Sequence, residues 1–420
     1  MTGPTLIKIL LGEFYAKIDK LKNLVVRDAA FYDAPGKIKV AIGMRRTGKT
    51  YMVYQHILAL LKQGILKTSI LYINFEDDRL IPLNQQKLVE LVDAFYALHP
   101  ENHQGKCYLF FDEIQNVDDW ALVMRRFIDS KDIEIFLTGS SAKLLSKEIA
   151  TGLRGRSLAT EIWPYSFGEY MRAGKSEVDR SLFDKTTHDI LAHAFNTYMS
   201  NGGFPETVLF NPDVRRKVLQ EYVDIVIYRD VIERHNIKNP TVIKRMIMAM
   251  IHNVGRPFSI NKFYNELKSQ GYAIGKEALY EYAAHLEDAY LIFSVSLYAQ
   301  SMRKSQTASK KLYAIDPGLV RSLTFDYEND VGRLFENIVY LDLRRLGYQV
   351  NYYVTREGNE VDFLVQTQQG HKRLLQVAWN MDDAKTVQRE ERALREGMDE
   401  LKVDGEIITL DSYLEKGVAP

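Results

Sequence analysis

The chain has 420 residues, 46% hydrophobic and 26% charged, with 55 Lys+Arg against 55 Asp+Glu and therefore no net charge. That length and apolar fraction support a large core and more than one domain, while the charge balance removes any bulk attraction to polyanions and leaves nucleic-acid contact to a local basic face. A single cysteine, Cys107, excludes an intrachain disulfide; with no hydrophobic secretory segment and no apolar run of membrane-spanning length, a cytoplasmic protein without membrane contact is expected.

The first chemistry-bearing segment in chain order is Gly43 to Thr50, GMRRTGKT, preceded by the apolar run Val40-Ala41-Ile42. Two glycines bracketing four residues before Lys and Thr fit the phosphate-binding loop. Gly43 and Gly48 let the backbone turn, so that successive N–H groups across Arg45, Arg46 and Thr47 point at phosphate oxygens, and a helix starting near Lys49 adds the positive end of its dipole. Lys49 is expected to reach the β- and γ-phosphates. Thr50 is expected to set its hydroxyl on Mg²⁺, a hard cation that takes few protein ligands when phosphates supply the rest.

The next signal is Tyr108-Leu109-Phe110-Phe111, an apolar strand ending in Asp112-Glu113. At the carboxyl end of a buried strand beside the phosphate loop, Asp112 is expected to hold the Mg²⁺ hydration shell and Glu113 to orient and polarise the attacking water. A further strand, Ile133 to Leu137, runs into Thr138-Gly139-Ser140-Ser141. Small hydroxyls there share the sheet edge with the acids, and Ser140 is the candidate for a contact with the γ-phosphate or the lytic water. Gly152-Leu153-Arg154-Gly155-Arg156 then offers two guanidiniums suited to bidentate contact with phosphate oxygens.

Phosphate loop, Asp-Glu strand, polar sensor strand and trailing arginines, in this order, resemble the AAA+ ATPases. A bacterial and archaeal subgroup is closer still: its phosphate loop also carries the paired arginines seen here as Arg45-Arg46, and its ATPase part precedes a C-terminal domain of unassigned role. The runs Trp163 to Tyr170, Asn201 to Glu206 and Tyr228-Arg229-Asp230 carry the likeness over nearly the whole chain. The resemblance implies ATP as ligand and substrate, a homo-oligomer, and an arginine acting in trans on a neighbour's nucleotide, which falls on Arg154 or Arg156 without choosing between them.

Beyond the ATPase core, the apolar positions Val218, Leu219, Tyr222, Val223, Val226 and Ile227 follow a helical period, and helices are expected from Tyr165 to about His235 as a lid over the nucleotide. From Thr241 to Ile315 three helices precede two strands, an order that suits a winged helix-turn-helix. Its loop, Ser301 to Lys311, carries Arg303, Lys304, Lys310 and Lys311 and no acid, a natural contact for DNA or RNA phosphates. The third helix, with Lys276, Glu277, Glu281, Glu287 and Asp288, is a poor fit to a major groove, so the module is equally a rigid spacer or a protein-docking surface.

The last segment, about Tyr327 to Leu410, reads helix, three strands, helix, strand, and looks like the PD-(D/E)XK nuclease fold, with Glu336 and Asp362 at two of its metal-binding positions. Gln376-Val377-Ala378 stands where that fold carries Glu-x-Lys. A neutral Gln binds Mg²⁺ weakly and Ala cannot stabilise an attacking hydroxide, so a nuclease-like shell without cleavage is expected.

The expected fold is therefore α/β: a P-loop NTPase parallel sheet with a helical lid, followed by a winged-helix module and a small α/β nuclease-like domain, over 1–164, 165–238, 239–325 and 326–420. The expected function is Mg²⁺-dependent ATP hydrolysis driving a switch or motor that acts on nucleic acid or a protein partner. The alternative is a nucleotide-gated protein-interaction regulator with little turnover and no nucleic acid.

Overall fold

The computed structural model describes residues 3–21, 24–139, 152–176, 178, 183–299, 301–324, 331–381 and 383–418. The chain divides into two compact units, Met1–Trp163 and Pro164–Pro420.

Unit 1 is built on five strands, β1 Ile38–Ile42, β2 Ile70–Asn74, β3 Cys107–Asp112, β4 Ile133–Gly139 and β5 Ser157–Glu161. All neighbouring pairs are parallel, in the order β2-β3-β4-β1-β5. Near-continuous apolar runs such as Ile70-Leu71-Tyr72-Ile73 mark strands covered on both faces, as parallel sheets require. Helices α1 Gly3–Lys20 and α2 Lys49–Lys62 bury Phe14, Ile18, Val53, Tyr54 and Ile57 against Ile70, Tyr72, Phe110 and Phe136 of the sheet. Helices α3 Gln85–Leu98 and α4 Trp120–Ser130 pack on one another. Because β4 lies between β1 and β3, the carboxyl ends of these three strands line up as phosphate loop, hydroxyl, acid.

Unit 2 opens with α5 Phe167–Ala173, α6 Lys185–Asn201 and α7 Pro212–Ile225, the last running on into a wider π-wound turn, Val226–Glu233. Then come α8 Pro240–His252, β6 Pro257–Phe258, α9 Ile260–Ser269, α10 Lys276–Asp288, β7 Ile292–Val295, α11 Met302–Thr307, β8 Lys310–Ala314 and α12 Pro317–Leu323. The three strands form an antiparallel sheet in the order β6-β8-β7. Ser259 caps α9 through the Lys262 N–H at 3.3 Å, as its position before the apolar run indicates. The final segment comprises α13 Val331–Arg345, β9 Gln349–Val354, β10 Glu360–Gln366, β11 Lys372–Ala378, α14 Ala384–Leu401, β12 Asp404–Thr409 and α15 Leu410–Lys416. Its sheet order is β12-β11-β10-β9, with β11 and β12 parallel and the other pairs antiparallel.

Two runs that carry the family likeness meet inside unit 2. The Tyr165 N–H donates to the Gly203 carbonyl at 2.7 Å, and a side chain at Gly203 would collide with the Tyr165 carbonyl oxygen. The Gly203 N–H in turn donates to Asp316 at 2.6 Å, and the other oxygen of Asp316 caps α12 through the Leu319 N–H at 2.9 Å. Arg215 is buried, its guanidinium donating to the carbonyls of Thr207, Val208 and Phe210 and to Asn201. It therefore braces the Asn201 to Glu206 run and is not a surface ion-pairing residue.

The sequence grouped Lys311 with the loop cations offered to nucleic acid, and the structure corrects this. Lys311 is 1% exposed and lies in strand β8, with its ammonium held by carboxylates, whereas Arg303, Lys304 and Lys310 are exposed. Its main chain pairs with β6 and β7 on either side, so its side chain is turned into the core and not along the loop.

Burial pushes the Asp316 carboxyl up to about 6, opposed by the N–H donors of Gly203 and Leu319. Asp316→Ala would leave both buried donors unmatched, and urea unfolding of unit 2 should show a loss of about 2–3 kcal/mol.

Candidate active site

The phosphate loop follows β1 without a break. Gly43 has φ 151° and Gly48 φ 95°, and a Cβ at Gly43 would run into the Ile162 carbonyl oxygen, so glycine is required there on conformational and steric grounds. Arg46 also adopts a left-handed φ of 66°. Thr47 is fully buried, and its hydroxyl donates to the Met44 carbonyl at 2.9 Å, closing the loop on itself. The Lys49 ammonium donates to the carbonyls of Gly43 at 3.1 Å and Met44 at 3.0 Å, which places it in the cradle. Arg27, which sequence reasoning did not single out, braces the loop from behind: its guanidinium donates to the carbonyls of Thr47 at 2.8 Å and Trp163 at 2.6 Å.

Asp112 ends β3 at 2% exposure, and three hydroxyls surround it. Thr50 and Tyr72 each donate to Oδ2 at 2.8 Å, and Thr138 donates to Oδ1. Burial pushes this carboxyl up from its ordinary value and the Glu113 charge adds to that, while the three hydroxyl donors pull against it. Tyr72 was legible only as an apolar position of β2, because nothing in the strand pattern tells a phenol that packs from one that donates.

Glu113 has a left-handed φ of 54°, which turns its side chain off the strand direction. Its N–H donates to the Thr138 hydroxyl at 3.0 Å, and its carboxylate accepts from the Gln115 amide. Thr138 thus links the two acids. A third acid, Glu76, stands just past β2, with Arg45 of the loop 3.6 Å away. Its carboxyl is raised by burial and by the charge of Glu113. No motif along the chain marks it.

The site therefore gathers Gly43, Arg45, Arg46, Thr47, Gly48, Lys49, Thr50, Asp112 and Glu113 at one sheet edge. Ser140 lies outside the described residues. Arg154 and Arg156 are not brought to that edge. Arg156 offers its carbonyl to the Ile38 N–H at the amino end of β1, at 2.8 Å, and its guanidinium pairs with Asp129. Five residues of strand, roughly 16 Å at about 3.3 Å each, separate it from Gly43. Arg154 is exposed on the preceding turn at φ 48°.

Thr50 and Asp112 are hard oxygen donors meeting at one point, the Lys49 ammonium is nearby, and the N-terminus of α2 is aimed at the same cradle, a donor set that fits Mg²⁺ with a phosphate chain. Among the described residues there is no group of three or more His, Cys, Asp or Glu arranged to hold a metal ion by themselves, so phosphates would have to complete such a shell.

Sequence comparison agrees with this geometry. A protein of Methanocaldococcus jannaschii described as uncharacterized is 39% identical over 406 residues, covering 96% of this chain and 88% of that protein. The chain belongs to that protein's family. A Haemophilus influenzae protein, also described as uncharacterized, is 30% identical over 330 residues, covering 78% of this chain and 79% of its own length. The family model described as an AAA domain matches residues 35–171, which contain the whole cradle, and two models described only as domains of unknown function match 192–330 and 331–412. Solved structures are more distant. The Walker-type ATPase of Pyrococcus abyssi has 13% identity and a TM-score of 0.42 over 73% of this chain and 99% of that one. The Aeropyrum pernix ORC2 protein in its ADPNP-ADP complexes has 13% identity and a TM-score of 0.36 over 74% of this chain and 89% of that one. Among the described residues no helix is long and apolar enough to cross a membrane.

A carboxyl raised by burial contributes stability that is fully present below its unfolded pKa and is lost as pH rises through the folded one. Asp112→Asn should therefore raise the melting temperature of the nucleotide-free protein at pH 7.5, and differential scanning calorimetry should show that gain vanishing towards pH 4.

Proposed function

We propose that this AAA-domain chain binds ATP with Mg²⁺ and hydrolyses it. The observation that carries this is the meeting of Thr50 and Asp112 at 2.8 Å beside the Lys49 ammonium. When bound, Mg²⁺ neutralises phosphate charge. Thr50 and Asp112 would hold it, and Lys49 would exchange its carbonyl partners for the β- and γ-phosphates. Glu113 would turn from Gln115 to accept a proton from the attacking water, with Thr138 fixing the backbone on which it turns. Arg45, 3.6 Å from Glu76, would meet phosphate oxygens as they enter.

The separation of Arg154 and Arg156 from the cradle supports a homo-oligomer in which one of them serves the neighbour's nucleotide. In the purified protein, Lys49→Ala should abolish ATP binding, while Glu113→Gln should still bind ATP and slow phosphate release by roughly 10²-fold or more. Mixing Lys49→Ala protein with an Arg154→Ala/Arg156→Ala protein should restore part of the turnover. Unchanged phosphate release in both single variants would reject the assignment.

For unit 2 we propose a winged-helix role for α8 to β8 and a nuclease-like shell for 331–412, with hydrolysis in unit 1 driving their movement. Exposed Arg303, Lys304 and Lys310 favour contact with a nucleic-acid backbone, and the exposed Glu277 and Glu281 of α10 favour a protein partner instead. Mobility shifts at two salt concentrations decide between them. Backbone binding should weaken with salt, with the slope of log affinity against log salt falling by about 0.9 for each of the three cations neutralised. No salt-sensitive DNA or RNA binding would leave the nucleotide-gated protein regulator.

A further inference from the structure

The nuclease-like shell proposed for the C-terminal segment would call for a divalent metal at its acidic cluster, and the residues found there do not fit one. Glu336 projects from α13, and Glu360 and Asp362 from β10. Their oxygens lie 2.8, 2.9 and 3.0 Å, respectively, from a single atom, the Nζ of Lys311. An ammonium has three N–H donors and no acceptor, so these three contacts use its full capacity and leave no direction open for water or substrate. Burial opposes a charge on Lys311, and the carboxylates of Asp362, Glu336 and Glu360 outweigh it, holding the ammonium well above its ordinary range.

Protein groups also hold the cluster's acids in place. Tyr313 donates at 2.6 Å to the same Oε1 of Glu336 that Lys311 contacts, and the Val377 N–H donates to the second oxygen of Asp362 at 3.0 Å. Gln376 accepts from the Asp362 N–H at 3.2 Å and turns its amide to Glu390, away from the cluster. The strand that delivers Lys311 is fixed on the same helix, since Asn337 accepts from the Ala314 N–H at 2.7 Å and donates to the Ala314 carbonyl at 3.1 Å. Tyr313 stacks on Tyr340 with ring centroids 4.3 Å apart.

We infer that Lys311 is the resident cation of the Glu336, Glu360 and Asp362 cluster, taking the place of a divalent metal and latching the three-stranded β6-β8-β7 sheet to the C-terminal domain. This stands independently of the ATPase assignment. The latch makes the β6-β8-β7 sheet and the β12-β11-β10-β9 sheet one mechanical piece, so that any motion imposed on α11, which carries Arg303 and Lys304, is passed to the C-terminal sheet. It also removes metal-dependent cleavage from the repertoire of that domain, since the position a metal would take is filled from within by a side chain that cannot diffuse away.

Two measurements on the full chain test this. Bound Mn²⁺, counted by electron paramagnetic resonance without nucleotide, should be the same in the wild type and in Asp362→Asn, because the cluster takes no metal. Loss of one Mn²⁺ per chain in Asp362→Asn, or metal-dependent nicking of DNA that disappears with it, overturns the inference. Lys311→Met should lower the melting temperature by roughly 10 °C, since it strands three carboxylates without a cation. Adding Glu336→Gln and Asp362→Asn to Lys311→Met should recover at least half of that loss. If Lys311→Met alone does not fold, the triple variant still should, and failure of the added substitutions to recover stability also counts against the latch.

Discussion

The structure depends on a buried carboxylate, Asp112, held at the end of a parallel strand by hydroxyls from three other elements. Thr50 comes from the start of α2, Tyr72 from β2 and Thr138 from β4. A carboxylate taken out of water needs hydrogen bonds or a cation, and three neutral donors supply the first without excluding the second. The arrangement also fixes the relative positions of the phosphate loop, β3 and β4, because moving any one of them would break a hydrogen bond to this buried carboxylate. The order β2-β3-β4-β1-β5 is what lets one threonine on β4 reach the acid of β3 while standing beside the loop that leaves β1.

Unit 2 solves a related problem in the opposite way. At Asp112 the buried charge is shared among the hydroxyls of Thr50, Tyr72 and Thr138. At Glu336, Glu360 and Asp362 the cation is already part of the chain. A buried ion cluster of this kind is weak evidence for stability and stronger evidence for a fixed register, since a one-residue slip of β8 would turn Lys311 to the other face and leave the acids unpaired. The Asp316 junction has the same logic with backbone donors, tying the Gly203 turn to the first turn of α12.

Much of this was legible in the sequence. The glycines of the phosphate loop, its Lys49 and Thr50, and the Asp112-Glu113 strand end are local patterns whose chemistry needs those residue types at that spacing, and the structure brings them to one edge. The helix and strand order of the last segment, from Val331 to Thr409, also follows from its apolar periods. Tyr72, Glu76 and Arg27 were not legible, because each acts through partners twenty or more residues away and sits in a stretch whose pattern reads only as strand, turn or loop. Lys311 was misassigned for the same reason: a lysine at the edge of a basic loop reads as solvated until the strand that follows is seen to turn it inward.

Local chemistry was thus determined by the sequence itself, since a phosphate cradle is made by consecutive backbone groups and needs no distant partner to be recognised. Which charges are offered and which are consumed was decided only by the tertiary structure. Whether Arg156 faces the loop or Asp129, and whether Lys311 faces solvent or three acids, depends on strand register and on contacts between residues far apart in the chain, and spacing along the sequence carries no information about either.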